Sequence, residues 1–204
     1  MSWRQNAAKP QGIGGKLFVN KMNSGAHAEL SKWGLSFLTL ENYSDILEIG
    51  CGGGANVAKL LAGCPNGHVT GIDYSDVSIK TSQKVNAEAI KAGRCRIEQE
   101  NVRDLSFADE SFDLATAFET IYFWPEIEDS FAQVARVLKK DGTFFICNET
   151  DGEDPEGYQW EKEIEGMKIY KAEEVLDALK QAGFSEISVE REPQSHWICF
   201  TAKK

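Results

Sequence analysis

The chain has 204 residues, an apolar fraction of 42% and a formal net charge of -10. That length suits one domain with one core, and the apolar share is ordinary for a globular protein. The acidic balance argues against a nucleic-acid or anionic-membrane surface, because such surfaces cluster Lys and Arg.

No apolar run approaches the roughly 20 residues that cross a bilayer. The first residues are not followed by the hydrophobic core of a signal peptide. Cys51, Cys64, Cys95, Cys147 and Cys199 are odd in number and never in C-x-x-C spacing. They read as reduced thiols in a cytoplasmic protein. His27, His68 and His196 lie far apart in sequence and suggest no metal cluster.

In chain order, residues 1–25 are expected to be an N-terminal tail. Positions 1–12 read as disordered, and the more apolar 16–23 as a cover over part of a site. Residues 26–204 are expected to form a single domain. Leu30, Trp33, Phe37 and Leu40 recur near helical spacing, which predicts an amphipathic helix over 27–40. Ile46, Leu47 and Ile49 form a strand that stops at Gly50, Gly52, Gly53 and Gly54. A helix follows over 55–61. Glycines there allow backbone angles that a β-carbon forbids and let a ligand approach the main chain. The helix behind them presents unpaired N–H groups. This is the strand–turn–helix of a nucleotide-binding unit.

Residues 68–73 predict a second strand ending in Asp73, about twenty positions beyond the glycine turn. An acid there can accept hydrogen bonds from ribose hydroxyls, while Ser75 or Asp76 opens the next helix. That helix is expected over 77–92 and closes at Gly93. Residues 95–98 predict a third strand, 101–107 a loop and 114–118 a fourth strand. Pro125 is expected to start a helix that runs to about 138, and 143–148 to form a fifth strand. Residues 149–166 break the rhythm with many acids, and 150–168 read either as a solvated loop or as a cap over a substrate. A helix over 171–182 and two strands, 184–190 and 196–202, complete the chain.

This alternation predicts an α/β fold: a doubly wound, seven-stranded, mostly parallel sheet. The last two strands have no helix between them, so they should pair antiparallel, with one reversed strand at the sheet's edge. The glycine turn, Asp73, Asn101 and residues 118–124 all fall at the carboxyl ends of strands, where such sheets bind ligands.

Four segments in this order resemble the class I S-adenosylmethionine-dependent methyltransferases, within them the small-molecule group related to ubiquinone and menaquinone methyltransferases. Glu48 with Gly50, Gly52 and Gly54 matches an acid followed by G-x-G-x-G. Gly71-Ile72-Asp73 matches the ribose-binding strand end. Residues 105–113 resemble L-P-F-x-D-x-S-F-D, and 137–143 are similar to the family's R-V-L-K-P-G-G turn. Asn101-Val102 stands where the family usually has Asp-Ala, and Ser106 replaces a Pro.

The resemblance implies S-adenosylmethionine as cofactor. Gly50, Cys51 and Gly52 would approach its methionine part through backbone, and Glu48 would orient the amino end, directly or through water. Asp73 would hold the ribose, with Tyr74 against adenine and Asn101 and Val102 bordering it. Phe118 and Glu119 would lie near the sulfonium, although Glu119 reads equally as a structural partner for Lys or Arg. Many relatives carry His after the fourth strand, where this chain has Glu119, Tyr122 and Trp124. Glu119 and Tyr122, with His27, are the candidate catalytic groups if the acceptor must lose a proton. Tyr122, Phe123 and Trp124 read either as an acceptor wall or as packing. The acceptor is expected to be a small molecule, since no N/D-P-P-Y/F or Pro-Cys segment follows the fourth strand. Two rivals remain. Gly50-x-Gly52-x-x-Ala55 also fits the spacing of an NAD(P)-dependent oxidoreductase, and the protein could hold the cofactor without catalysis.

Overall fold

The computed structural model describes residues 3–22, 26–124 and 126–204. Strands β1 (Asp45–Ile49), β2 (His68–Asp73), β3 (Cys95–Gln99), β4 (Phe112–Phe118), β5 (Leu138–Asn148), β6 (Ser185–Arg191) and β7 (Ile198–Lys203) form one sheet. Its order is β3-β2-β1-β4-β5-β7-β6. The first five strands are parallel, and β7 runs antiparallel to β5 and β6. The chain steps outward from β1 to β3, then returns to place β4 on the other flank of β1. That reversal opens a crevice at the carboxyl ends of β1 and β4.

The reversed strand is not at the edge, as the sequence had suggested. β7 inserts between β5 and β6, and β6 becomes the edge strand. The burial explains the exchange. Ile198, Cys199, Phe200 and Ala202 of β7 are buried, whereas β6 exposes Ser185, Glu186, Glu190 and Arg191. The apolar strand takes the interior, and the charged strand faces water at the open edge.

Eight α-helices flank the sheet among the described residues: α1 (Gly12–Met22), α2 (Ala26–Leu35), α3 (Ala55–Gly63), α4 (Asp76–Val85), α5 (Ala87–Lys91), α6 (Ile127–Val137), α7 (Pro155–Glu163) and α8 (Ala172–Gln181). Side-chain alternation along the strands divides the core in two. Leu47, Ile49, Phe144 and Ile146 pack on one face with Phe131 and Val134 of α6 and Val175 and Leu179 of α8. Ile46, Phe145 and Cys147 pack on the other with Leu30 of α2, Val57 and Leu60 of α3 and Ile79 of α4. In α6 the buried positions Ile127, Phe131, Val134 and Val137 follow helical spacing.

Several predicted boundaries shift. The helix expected over 27–40 ends at Leu35, and Leu40–Asn42 forms a separate 3-10 turn. The helix expected over 77–92 breaks at Asn86, whose buried amide nitrogen donates to Gly54 O at 3.1 Å and Ser82 O at 3.0 Å. A tertiary bond to the glycine turn thus interrupts a helix that local propensity would continue. Pro125, the expected start of α6, lies outside the described residues.

The larger correction concerns residues 1–12, expected to be a disordered tail. Trp3–Ala7 forms a 3-10 helix, and α1 begins at Gly12. Tertiary bonds order a segment with little periodicity of its own. Ser75 Oγ donates to Pro10 O at 2.8 Å, and the Tyr74 hydroxyl donates to Ala8 O. Gln5 Nε2 donates to Glu165 O, and Glu165 N donates back to Gln5 Oε1, each at 3.1 Å. Positions 1, 2 and 23–25 lie outside the described residues. Residues 150–168, read as a loop or cap, contain α7, whose C-terminal end packs Ile164 inward.

Candidate active site

At the crevice between β1 and β4 lies a cavity of about 410 Å³. Its floor is the glycine turn. Gly50, Gly52 and Gly54 have φ of 75°, 48° and 82°, a region that a β-carbon disfavours. At Gly50 the constraint is doubled, because an added Cβ would lie 2.3 Å from Thr120 Cγ2. Gly50 N and Cys51 N both donate to Ile72 O at 2.8 Å, fastening the turn to β2. Gly54 is the N-cap of α3, so the first turn of that helix points its free N–H groups at the cavity, where Ala55 and Asn56 form the lining.

Asp73, at the tip of β2, lines the same cavity. Its Oδ2 accepts from Gly52 N at 3.0 Å and its Oδ1 from Ser75 N at 2.8 Å. Burial raises its pKa, and these backbone bonds oppose the rise. Ser75 separately caps α4 by accepting from Ser78 N, so binding and capping fall on different residues.

Tyr74, Asn101 and Val102 border one end of the cavity. The Tyr74 ring is 40% exposed, and Lys9 Nζ lies 5.3 Å from its centroid. Asn101 Oδ1 accepts from Arg103 N at 3.1 Å, which leaves one lone pair for a ligand. Asn6, Ala7, Ala8 and Pro10 complete this end. The N-terminal segment is therefore part of the wall, and its first twelve residues carried no sequence signal for that role.

Glu48 stands behind the cavity wall. It is 1% exposed and does not line the cavity. Its carboxyl accepts from Thr116 Oγ1, and the Asn56 side chain is a second partner. Burial pushes its pKa up to about 8, so the group is mostly neutral at pH 7. Its partner Asn56 itself lines the cavity. Around Asn56 the structure gathers residues that the sequence reading missed. Ser31 Oγ donates to Asn56 Oδ1 at 2.6 Å, and Lys59 Nζ donates to Ser31 Oγ at 2.8 Å. Burial lowers the Lys59 pKa. The available signal was the i, i+3 spacing of Asn56 and Lys59 in the first turns of the helix behind the glycines.

Phe118, Glu119, Thr120, Phe123 and Trp124 line the opposite end with His27 and Leu30 of α2. Trp124 also packs into the core, edge-on to Phe131 at 6.0 Å. Glu119 has φ 60°, and its N–H is held by Cys147 O at 2.9 Å. Its carboxylate Oε2 lies 2.9 Å from His27 Nδ1, and Oε1 accepts from Glu149 N at 2.6 Å and Tyr122 OH at 3.4 Å. Tyr122 does not line the cavity. Its hydroxyl is buried beneath Glu119, and burial together with Glu119 and Glu149 drives its pKa well above the ordinary tyrosine value. It stands beside the Glu119 carboxylate, to which it donates, and behind the cavity wall. Among the described residues, none of 150–168 lines the cavity. That segment backs the site instead, with Lys168 N donating to Tyr122 O at 2.8 Å.

Residues 47–146 match the methyltransferase domain model Methyltransf_11. The O-methyltransferase cnsE of Penicillium expansum is 31% identical over 147 residues, 71% of this chain and 53% of that protein. The botryococcene C-methyltransferase of Botryococcus braunii is 35% identical over 114 residues, 56% of this chain and 30% of that protein. The chain thus spans about half, or less, of the length of these relatives. Among solved structures, a SAM-dependent methyltransferase from Aquifex aeolicus superposes with a TM-score of 0.74 at 18% identity, covering 92% of this chain and 96% of that one. At that identity the likeness speaks for the fold.

Proposed function

We propose, from the chain's membership of the class I S-adenosylmethionine-dependent methyltransferases, that it transfers a methyl group to a small-molecule acceptor by in-line displacement. The observation that carries this reading is one shared cavity. The glycine turn after β1 and the Asp73 carboxylate after β2 meet there, with Gly52 N and Asp73 Oδ2 3.0 Å apart.

The residues present fit the cofactor's parts. The open N-terminus of α3 and the bare backbone at Gly50 and Gly52 suit an amino-acid end. Asp73, an acceptor-only group when ionised, suits vicinal hydroxyls. Val102 and Tyr74 offer apolar and aromatic surface to a base, and Asn101 offers it one acceptor. Phe118 and Glu119 stand at the far end, where a carboxylate favours a positive sulfonium.

When bound, the sulfonium supplies an already activated methyl group. The protein's task is then alignment, which can supply a large part of the rate enhancement. Val19, Leu30, Phe123 and Trp124 give the acceptor end apolar walls that exclude water. The acidic chain and the mostly apolar lining favour a small organic acceptor over a polyanion.

Calorimetric titration with S-adenosylhomocysteine, beside NADH, tests the reading. Saturable binding of S-adenosylhomocysteine with none of NADH is expected. NADH binding alone would make the glycine spacing that of an oxidoreductase and overturn the proposal.

A further inference from the structure

We infer that His27 is the proton acceptor of this site and that the methyl acceptor is a phenolic or enolic hydroxyl. This inference rests on the methyltransferase reading above and names its substrate class.

The Glu119 carboxylate is fixed before any ligand arrives. Its backbone sits at φ 60° and is tied to β5 through Cys147 O. A non-glycine residue keeps such a conformation only where its surroundings over-determine it, and such residues cluster at functional sites. Oε1 is taken by Glu149 N and the Tyr122 hydroxyl, so Oε2 is left for His27 Nδ1 at 2.9 Å. A carboxylate only accepts, so Nδ1 must carry the hydrogen. That places the neutral ring's lone pair on Nε2. His27 lines the cavity with Phe118, Glu119 and Thr120, and it is the only histidine among the described lining residues.

The charged and titratable groups around the ring agree with this role. Glu119 raises the His27 pKa through its hydrogen bond and its charge, and Glu149 raises it further. Burial and Lys21 lower it, and the net direction is upward from 6.5. The phenol of Tyr122 stays protonated. Of His27 and Tyr122, only His27 both lines the cavity and offers a nitrogen lone pair that can take a proton. A hydroxyl acceptor needs such a base. An alkene acceptor loses a proton only from the carbocation formed after transfer, a carbon-bound proton and not the O–H next to the attacking atom, and a thioether attacks with a lone pair and loses none.

The step balances. The acceptor's O–H proton moves to Nε2, and an oxygen lone pair forms the new O–C bond. The carbon–sulfur bond breaks with its electron pair left on sulfur. The imidazolium formed is stabilised by Glu119. His27, whose side chain is 28% exposed, returns the proton to water. Hydroxyl plus sulfonium thus gives methyl ether, thioether and one proton. Glu119 does not touch the acceptor proton in this scheme; it is a positioning residue.

The test uses the full chain with S-adenosylmethionine, EDTA and a panel of substituted phenols and β-diketone enols. In parallel, carbon-13-labelled histidine is followed by NMR in the complex with S-adenosylhomocysteine, and His27→Gln assigns the signal. The expected imidazole midpoint lies above 6.5 in the wild type and moves down in Glu119→Gln. The methylation rate should rise with pH through the same midpoint and shift with it in Glu119→Gln. His27→Gln should cut the rate on the order of 10²–10⁴-fold while S-adenosylhomocysteine affinity stays within about threefold. The inference is overturned by any of three results: no phenol or enol is methylated, His27→Gln keeps its rate, or the imidazole midpoint ignores Glu119→Gln. If S-adenosylhomocysteine fails to bind the wild type, the cofactor reading itself falls, which the calorimetry detects separately.

Discussion

Asp73 is a carboxylate that two backbone amides, of Gly52 and Ser75, orient toward the cavity. Replacing it with alanine removes a charge-assisted acceptor for a ligand hydroxyl and frees both amides. Asp73→Ala should weaken S-adenosylhomocysteine binding by about 1.5–3 kcal/mol, read by calorimetry; an unchanged dissociation constant would refute the ribose assignment. Glu48 shows the opposite use of an acid. Its folded pKa of about 8 lies above the ordinary 4.5 because burial disfavours the charge. Between those values the native state holds a proton that the unfolded chain has released. The unfolded state therefore binds fewer protons, and this group's contribution to stability falls as pH rises from about 4.5 to 8. Glu48→Gln imitates the neutral form. Unfolding midpoints measured from pH 5 to 8 should decline less steeply in the variant than in the wild type. Parallel curves would mean that Glu48 is ionised in the fold.

The N-terminal segment is the element whose role is least apparent from its composition. Its 3-10 helix contributes Asn6 and Ala7 to the cavity wall, the connection after it Ala8 and Pro10, and α1 Val19. They are held from below by side chains at the start of α4, and the Tyr74 hydroxyl on Ala8 O is one of those ties. Tyr74→Phe deletes that bond and keeps the ring. One such bond is worth about 0.5–1.5 kcal/mol, so S-adenosylhomocysteine affinity should fall roughly two- to tenfold. Hydrogen exchange over residues 3–11 should quicken while exchange in β1 and β4 stays slow. Uniform quickening throughout the sheet would show that the tie supports the whole fold, not this wall. Asn86 illustrates the same coupling between elements. It ends α4 to grip Gly54 O, so the glycine turn is fastened by a helix thirty residues downstream.

At the scale of the molecule, one sheet with a reversal in strand order gathers the site at the carboxyl ends of β1 and β4, where strand ends supply Gly50, Asp73, Asn101 and Glu119 and the helices and N-terminal segment supply the rest of the wall. The alternation of elements, the glycine turn and Asp73 are legible in the string of residues, because strand period, glycine at positive φ and an acid at a strand tip are local properties. The sequence also placed Phe118, Glu119, Asn101 and Val102 at strand ends, and all four line the cavity. Only the tertiary structure decided what those groups face. Glu48 looks like a ligand-facing acid in the string, yet the parallel pairing of Glu48 with Thr116 across β1 and β4 turns it inward. His27 and Glu119 are ninety-two positions apart, and no local pattern links them; packing of α2 on β5 brings them together. The place of β7 inside the sheet was likewise settled by burial, since a hairpin fixes that β6 and β7 pair but not which of them faces β5. Local chemistry is written in short stretches of sequence, whereas partners depend on which faces are removed from water together.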